Sequence, residues 1–286
     1  MAEISASLVM KLRKMSGQGM MDCKKALIEA GGDLDEATAL LRKKGLVTLA
    51  KRAGRETTEG RVVCKAGSDG KTVGMATLCC ETDFVAKSDD FVTAADALGE
   101  YLFACDSDEQ TESILEAAVG GKKFSEVLTE AVSKTGEKIE VGDFTRYSIG
   151  GAGVIGTYVH FNNKVGAMVE IETDSDDVAN GLASVAGDIA MHITAIKPVA
   201  VDSDSIDPAV IEKEKEIAAE QMKNKPANII DKIVEGKMRK FFKENCLLEQ
   251  AFVKDDSRTV AQTLAEAAGQ AGGQAKIKRF VRFEIG

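Results

Sequence analysis

The chain has 286 residues, 44% hydrophobic and 29% charged, a balance that suits one large or two to three small folded domains with a real core. Its apolar runs are a handful of residues long, far short of the roughly 20 that span a bilayer, so no membrane association is expected. The net charge of −9 is uneven: residues 1–55 hold eleven Lys/Arg against six Asp/Glu, a net of +5, and the rest carries −14, a body that repels long polyanions.

The head reads as three helices. Leu8, Val9, Leu12 and Met15 recur at helical spacing behind the capping candidates Ser5 and Ser7. Gly17-Gln18-Gly19 interrupts, and a second helix is predicted from Asp22 to Ala30, ended by Gly31-Gly32. Asp33 with Glu36 suggests a capping box on a third helix, with Gly45 as its C-terminal stop. Residues 46–59 read as a basic, partly helical connector.

The middle of the chain contains a repeat. Glu59-Gly60-Arg61-Val62-Val63 and Val73 to Glu81-Thr82-Asp83 form one copy; Ala152-Gly153-Val154-Ile155-Gly156 and Val165 to Glu172-Thr173-Asp174 form the other. Each is predicted to be a hairpin, turned at Gly67–Gly70 in the first and at Asn162-Asn163 in the second. A helix follows each at an offset of 91, with Phe91, Ala95, Leu98 and Leu102 matching Leu182, Ala186, Ile189 and Ile193. That spacing puts four apolar residues on one face, laid on the sheet. Residues 106–140 read as helical and acidic. Residues 208–244 read as two charged helices hinged near Lys225-Pro226, with a thin stripe of Ile230, Ile233, Val234, Met238 and Phe241 that suits a coiled-coil hairpin arm. A strand over 277–285 closes the chain. The expected fold class is α+β, with domains at 1–55, 56–147 and 148–286, the last containing the arm.

Catalytic machinery is scarce. Gly67-Ser68-Asp69-Gly70-Lys71-Thr72 has Lys65 where a phosphate loop needs its first Gly, and Lys71-Thr72 opens a strand. Gly150-Gly151-Ala152-Gly153 lacks the dinucleotide spacing. His160 and His192 are the only histidines, and His192 reads more readily as structural than catalytic. The cysteines at 23, 64, 79, 80, 105 and 246 show no C-x-x-C spacing, so free thiols in a reducing cytoplasm are expected, with no metal and no cofactor. The opening Met-Ala-Glu-Ile-Ser lacks the features of a signal peptide. An enzyme is the weaker class.

One oddity of the repeat remains. After Thr-Asp the second copy continues Ser175-Asp176-Asp177, suited to a surface turn, whereas the first continues Phe84-Val85-Ala86-Lys87. Phe84 is either local core or a knob for a partner's pocket, where a buried Phe contributes roughly 2–3 kcal/mol. Met20-Met21 is likewise either core or an adaptable contact surface. A competing class is a nucleic-acid binder using Lys43-Lys44 and Lys51-Arg52.

Residues 12–27, from Leu12-Arg13-Lys14-Met15 through Met20-Met21-Asp22-Cys23 to Ala26-Leu27, closely resemble the opening of the bacterial elongation factor Ts family. So do Thr82-Asp83-Phe84-Val85-Ala86-Lys87, Met191-His192-Ile193, Lys197-Pro198 and the closing Arg282-Phe283-Glu284-Ile285-Gly286. The resemblance implies a translation elongation factor without catalytic residues of its own, a guanine-nucleotide exchange factor for elongation factor Tu. It implies a head like a ubiquitin-associated domain, a two-subdomain core and an antiparallel helical arm, which leaves a homodimer or a two-to-two complex open. In that reading Thr82, Asp83, Phe84, Val85 and Ala86 enter the partner beside its magnesium and phosphates. Arg13, Met20 and Met21 would hold a partner helix, and Tyr158 and His160 would add contacts. Many relatives continue past the closing motif into a further helix, whereas this sequence ends at Gly286.

Overall fold

In the computed structural model, which describes residues 4–16, 18–220 and 227–286, Ser5 caps the first helix. Its Oγ accepts from Leu8 N at 3.2 Å as α1 (Ala6–Ser16) begins. α1 buries Val9 and Leu12, but Met15 is exposed, leaving the expected stripe one residue short. α2 (Met20–Glu29) starts earlier than predicted, so Met20 and Met21 form its first turn. Asp33 caps α3 (Leu34–Arg52), accepting from Asp35 N at 2.9 Å and Glu36 N at 2.8 Å. The capping box does not close, because the Asp33 N–H donates to Ala30 O.

Gly45 corrects a second expectation, since α3 runs straight through it. A Cβ there would lie 2.0 Å from Ser133 Oγ and 2.9 Å from Thr129 O, on a later helix. The glycine permits close helix packing and is not a stop. Val9, Leu12, Cys23, Leu27, Ala37 and Leu41 form the core of the three-helix head.

The first hairpin pairs β1 (Glu59–Ala66) with β2 (Thr72–Cys80), antiparallel, from Glu59 opposite Cys80 to Ala66 opposite Val73. Asp69 makes its turn, accepting from Lys71 N and Thr72 N at 2.9 Å each. α4 (Asp83–Ala86) and α5 (Asp89–Tyr101) come next, and α5 buries Phe91, Ala95 and Leu98 as predicted. The segment 106–140 is less helical than expected. Between α6 (Thr111–Glu116) and α7 (Phe124–Thr135) lies a small hairpin of β3 (Ala118–Val119) and β4 (Lys122–Lys123). Gly120 and Gly121, at φ of 60° and 80°, supply the two positive-φ residues its turn needs. β5 (Ile139–Ser148), not foreseen from sequence, completes a sheet of order β1-β2-β5. Leu78, Phe91, Leu98, Phe124, Val132 and Ile139 fill the core beneath it.

The second hairpin pairs β6 (Gly153–Val159) with β7 (Val165–Thr173), again antiparallel. The expected surface turn after it is a short helix, α8 (Asp176–Gly181), capped by Ser175, whose Oγ accepts from Val178 N at 3.3 Å. Then α9 (Ala183–Ile196) lies on the sheet, with Ala186, Ile189 and Ile193, and Leu182 just before it, fully buried. Gly156 lets β6 approach α9 closely, since a Cβ there would lie 2.1 Å from Ala186 O.

α10 (Pro208–Glu220) and α11 (Ala227–Asn245) pack on each other. Met238 is buried and Ile233, Val234 and Phe241 half-buried, while the Lys225-Pro226 hinge and the Ile230 side chain lie outside the described residues. Ala200, Ile206 and Cys246 pack with Ile211, Phe241 and Phe242 at their base. β8 (Ala251–Phe252), β9 (Asp255–Thr259), α12 (Val260–Gln270) and β10 (Ala275–Glu284) complete the chain, and β10 joins a sheet of order β10-β7-β6.

The architecture is α+β, built in two compact units: residues 1–146 with 162–164 and 283–286, and residues 147–161 with 165–282. Cys80 and Cys246 are fully buried, and burial raises their thiols to about 12 and about 11. Among the described residues no helix is long and apolar enough to cross a membrane.

Candidate functional site

The corner between β2 and α4 gathers the first unit's most unusual side chains. Thr82 is extended, at φ −130° and ψ 154°, and caps α4 with its hydroxyl oxygen, 3.4 Å from Val85 N. The same hydroxyl donates to Glu137 Oε1 at 2.7 Å, and Thr82 N donates to Glu137 Oε2 at 3.0 Å. One residue earlier the exchange is returned: Glu81 Oε1 accepts from Lys138 N at 2.7 Å and from Arg52 at 2.6 Å, while Oε2 accepts from Arg55 at 2.9 Å. Burial alone would raise the Glu81 pKa; the Lys138 N–H and the two guanidiniums outweigh it and bring it to about 2.

The face this corner presents combines one exposed aromatic ring with an ion pair. Ala86 is buried and Val85 half-buried against the core, anchoring the single turn of α4 from below. Arg61 Nε donates to Ala86 O at 3.0 Å. Phe84 points the other way and is 82% exposed. Beside it Asp83 pairs with Lys87 at 2.7 Å, and that hydrogen bond holds its carboxyl below the ordinary value. The site sets an exposed ring beside a carboxylate already paired with Lys87, and its Thr82 hydroxyl is committed to Glu137, an arrangement suited to contact with a partner surface.

The other expected contact residues fall into two further groups. Arg13 is exposed on α1, and Met20 and Met21 are 43% and 63% exposed on α2, so both methionines belong to surface and not core. In the second unit, Tyr158 Oη lies 3.0 Å from His160 Nδ1. The His160 ring centroid is 4.3 Å from that of Phe161, which is 87% exposed.

Phe161 and Glu137, near these groups, escaped the sequence reading, and Lys87 was read as part of the motif but not as the partner of Asp83. Phe161 carried a local signal, a large aromatic directly before the Asn162-Asn163 turn. Lys87 stands four residues after Asp83, the spacing of a helical ion pair. Glu137 lies 55 residues from Thr82 and had no signal at all.

The remaining candidates are structural. His192 is fully buried; its Nδ1 accepts from Val253 N at 3.1 Å, so Nε2 donates to Gln250 Oε1 at 2.9 Å. Burial lowers its pKa. Thr72 opens β2, so the Gly67–Thr72 segment offers no helix N-terminus to a phosphate. Among the described residues no group of three or more His, Cys, Asp or Glu is placed to hold a metal.

The family model described as Elongation factor TS matches residues 81–286, starting at the Glu81 corner. A Nitratiruptor protein named Elongation factor Ts is 43% identical over 285 residues, covering 99% of this chain and 93% of its own. Its namesakes from Nitratidesulfovibrio vulgaris and Clostridium botulinum are each 40% identical, covering 99% of this chain and 96% and 93% of theirs. These relatives also cover the three-helix head, which the family model leaves out. With matches of this length and identity, the chain belongs to the elongation factor Ts family, translation elongation factors with a nucleotide-exchange role and not enzymes.

Proposed function

We propose that this protein binds elongation factor Tu in its GDP-bound form and accelerates GDP release by inserting Asp83 and Phe84 beside the partner's magnesium and phosphate site. The observation that carries the reading is Phe84, 82% exposed at the tip of an anchored helical turn. Leaving such a ring in water forgoes roughly 2–3 kcal/mol, which a fitting pocket restores. GDP is held in such GTPases largely by a phosphate loop and a magnesium ion. A ring wedged beside them displaces the loops that position both, and the carboxylate of Asp83 adds repulsion toward phosphate.

Coupling of this kind is reciprocal: a factor that weakens GDP binding is itself weakened by GDP to the same degree. It needs no nucleotide site of its own. In the same reading Arg13, Met20 and Met21 of a ubiquitin-associated-like head grip a partner helix, Tyr158 and His160 add contacts, and the cytoplasm is the place of action. The arm of α10 and α11 is the candidate surface for pairing two copies. Direct nucleic-acid binding is disfavoured because two of the four proposed cations are engaged, Lys44 with Asp22 and Arg52 with Glu81.

The test is release of a fluorescent GDP analogue from elongation factor Tu at fixed magnesium. Acceleration by the parent chain that Phe84→Ala removes supports the wedge; acceleration that survives the substitution overturns it.

A further inference from the structure

We infer that Glu137 is a positioning residue for nucleotide exchange, its carboxylate setting the direction in which Phe84 projects. The inference rests on Phe84 acting as the wedge. α4 is only four residues long, too short to hold its shape by backbone hydrogen bonds alone. Its direction must therefore be imposed from outside. Ala86 and Val85 anchor the underside, and Glu137 takes hold of the start, accepting from both Thr82 N at 3.0 Å and Thr82 Oγ1 at 2.7 Å.

The second bond also orients the cap. With its hydrogen committed to Glu137, the Thr82 hydroxyl turns a lone pair toward Val85 N, the bond that starts the helix. Glu137 is itself held in place, since the next residue, Lys138, donates its N–H to Glu81. Residues 81–82 and 137–138 are thus joined by side-chain-to-backbone bonds running in both directions. Among the described residues no carboxylate takes this place in the second copy of the repeat, where the Thr173 hydroxyl donates to Ser175 O at 2.9 Å. The clamp occurs in the copy whose corner carries Phe84.

The experiment titrates the full chain against elongation factor Tu loaded with a fluorescent GDP analogue and separates the limiting release rate from the half-saturating concentration. Glu137→Ala is expected to lower the limiting rate about tenfold, the scale of one charge-assisted hydrogen-bond pair, with little change in half-saturation. A merely less folded variant does the opposite, raising the half-saturating concentration at an unchanged limiting rate. Glu137→Gln, with one acceptor oxygen where two are used, should fall between, at about a threefold loss, and carries the test if the alanine variant does not fold. A limiting rate within about twofold of the parent in the folded variants overturns the inference. Phe84→Ala, run in parallel, reports on the wedge separately: if it leaves acceleration intact, the wedge is wrong, and if it abolishes acceleration while the Glu137 variants do not, only the positioning role falls.

Discussion

The two copies of the repeat use the same Glu-Thr-Asp ending for opposite purposes. In the first, Thr82 is clamped by Glu137, Asp83 stays at the surface with Lys87, and Phe84 projects. In the second, Asp174 is turned inward to the chain: its Oδ2 accepts from Gln274 N at 2.7 Å, and its N–H donates to Gln274 O at 3.4 Å. Ser175, at the position of Phe84, caps α8, and Val178 and Ala179 are buried behind it. A hairpin leading into a helix is thus a neutral scaffold. The residue after Thr-Asp, together with the distant carboxylate or amide that reaches the corner, decides whether the corner projects into solvent or closes on its own unit.

The two copies differ most at Phe84. Phe84→Ala should cost on the order of 100-fold in stimulated GDP release, as for a central interface anchor, with the melting temperature almost unchanged because the ring touches water. The reverse graft, Ser175→Phe, should create no exchange activity in that background and should lower stability by about 1 kcal/mol through loss of the α8 cap. Stimulated release recovered by this graft would show that the scaffold, and not its tethers, makes the knob.

Within the second copy, Gly156→Ala forces a Cβ to 2.1 Å from Ala186 O and should lower its stability by about 2 kcal/mol in a denaturant melt. Asp174→Ala should cost about 1 kcal/mol by leaving Gln274 N without its carboxylate, again without effect on exchange. The smallest effect concerns pH. The His192 pKa is lowered on folding by burial, so the unfolded chain binds a proton the folded one resists. Its contribution is full above the unfolded value of about 6.5 and is lost as pH falls through the folded value. Thermal melts from pH 7.5 to 5 should therefore slope less in His192→Gln, and an unchanged slope would contradict a neutral ring whose Nδ1 accepts from Val253 N.

The legibility of the sequence tracks the range of the interactions. Both hairpins and the apolar faces of α5 and α9 were readable because alternation and helical spacing are local, and the repeat reinforced each signal. The third strand of the first sheet was not: β5 hides between a helix and a turn, and it pairs with β2 only through chain folding. Gly45 misled because a glycine that ends a helix and one that admits a neighbouring helix look alike until the neighbour is known. At the site, Thr82 to Lys87 formed a visible motif, but whether Phe84 pointed inward or outward depended on Val85 and Ala86 taking the core-facing side. Glu137 could not be linked to Thr82 at all.

The cysteines give the molecule its own clocks. Cys23 lies in the head core, Cys80 at the end of β2 with its side chain in the core, and Cys246 at the base of the arm, each with no exposed surface. Burial pushes the Cys80 thiol up to about 12, far above pH 8, so an alkylating reagent finds it almost inert until its surroundings open. Labelling kinetics read residue by residue would therefore time the opening of head, sheet and arm separately in one unmodified chain. The order in which the three react ranks their local stabilities, without a single engineered probe.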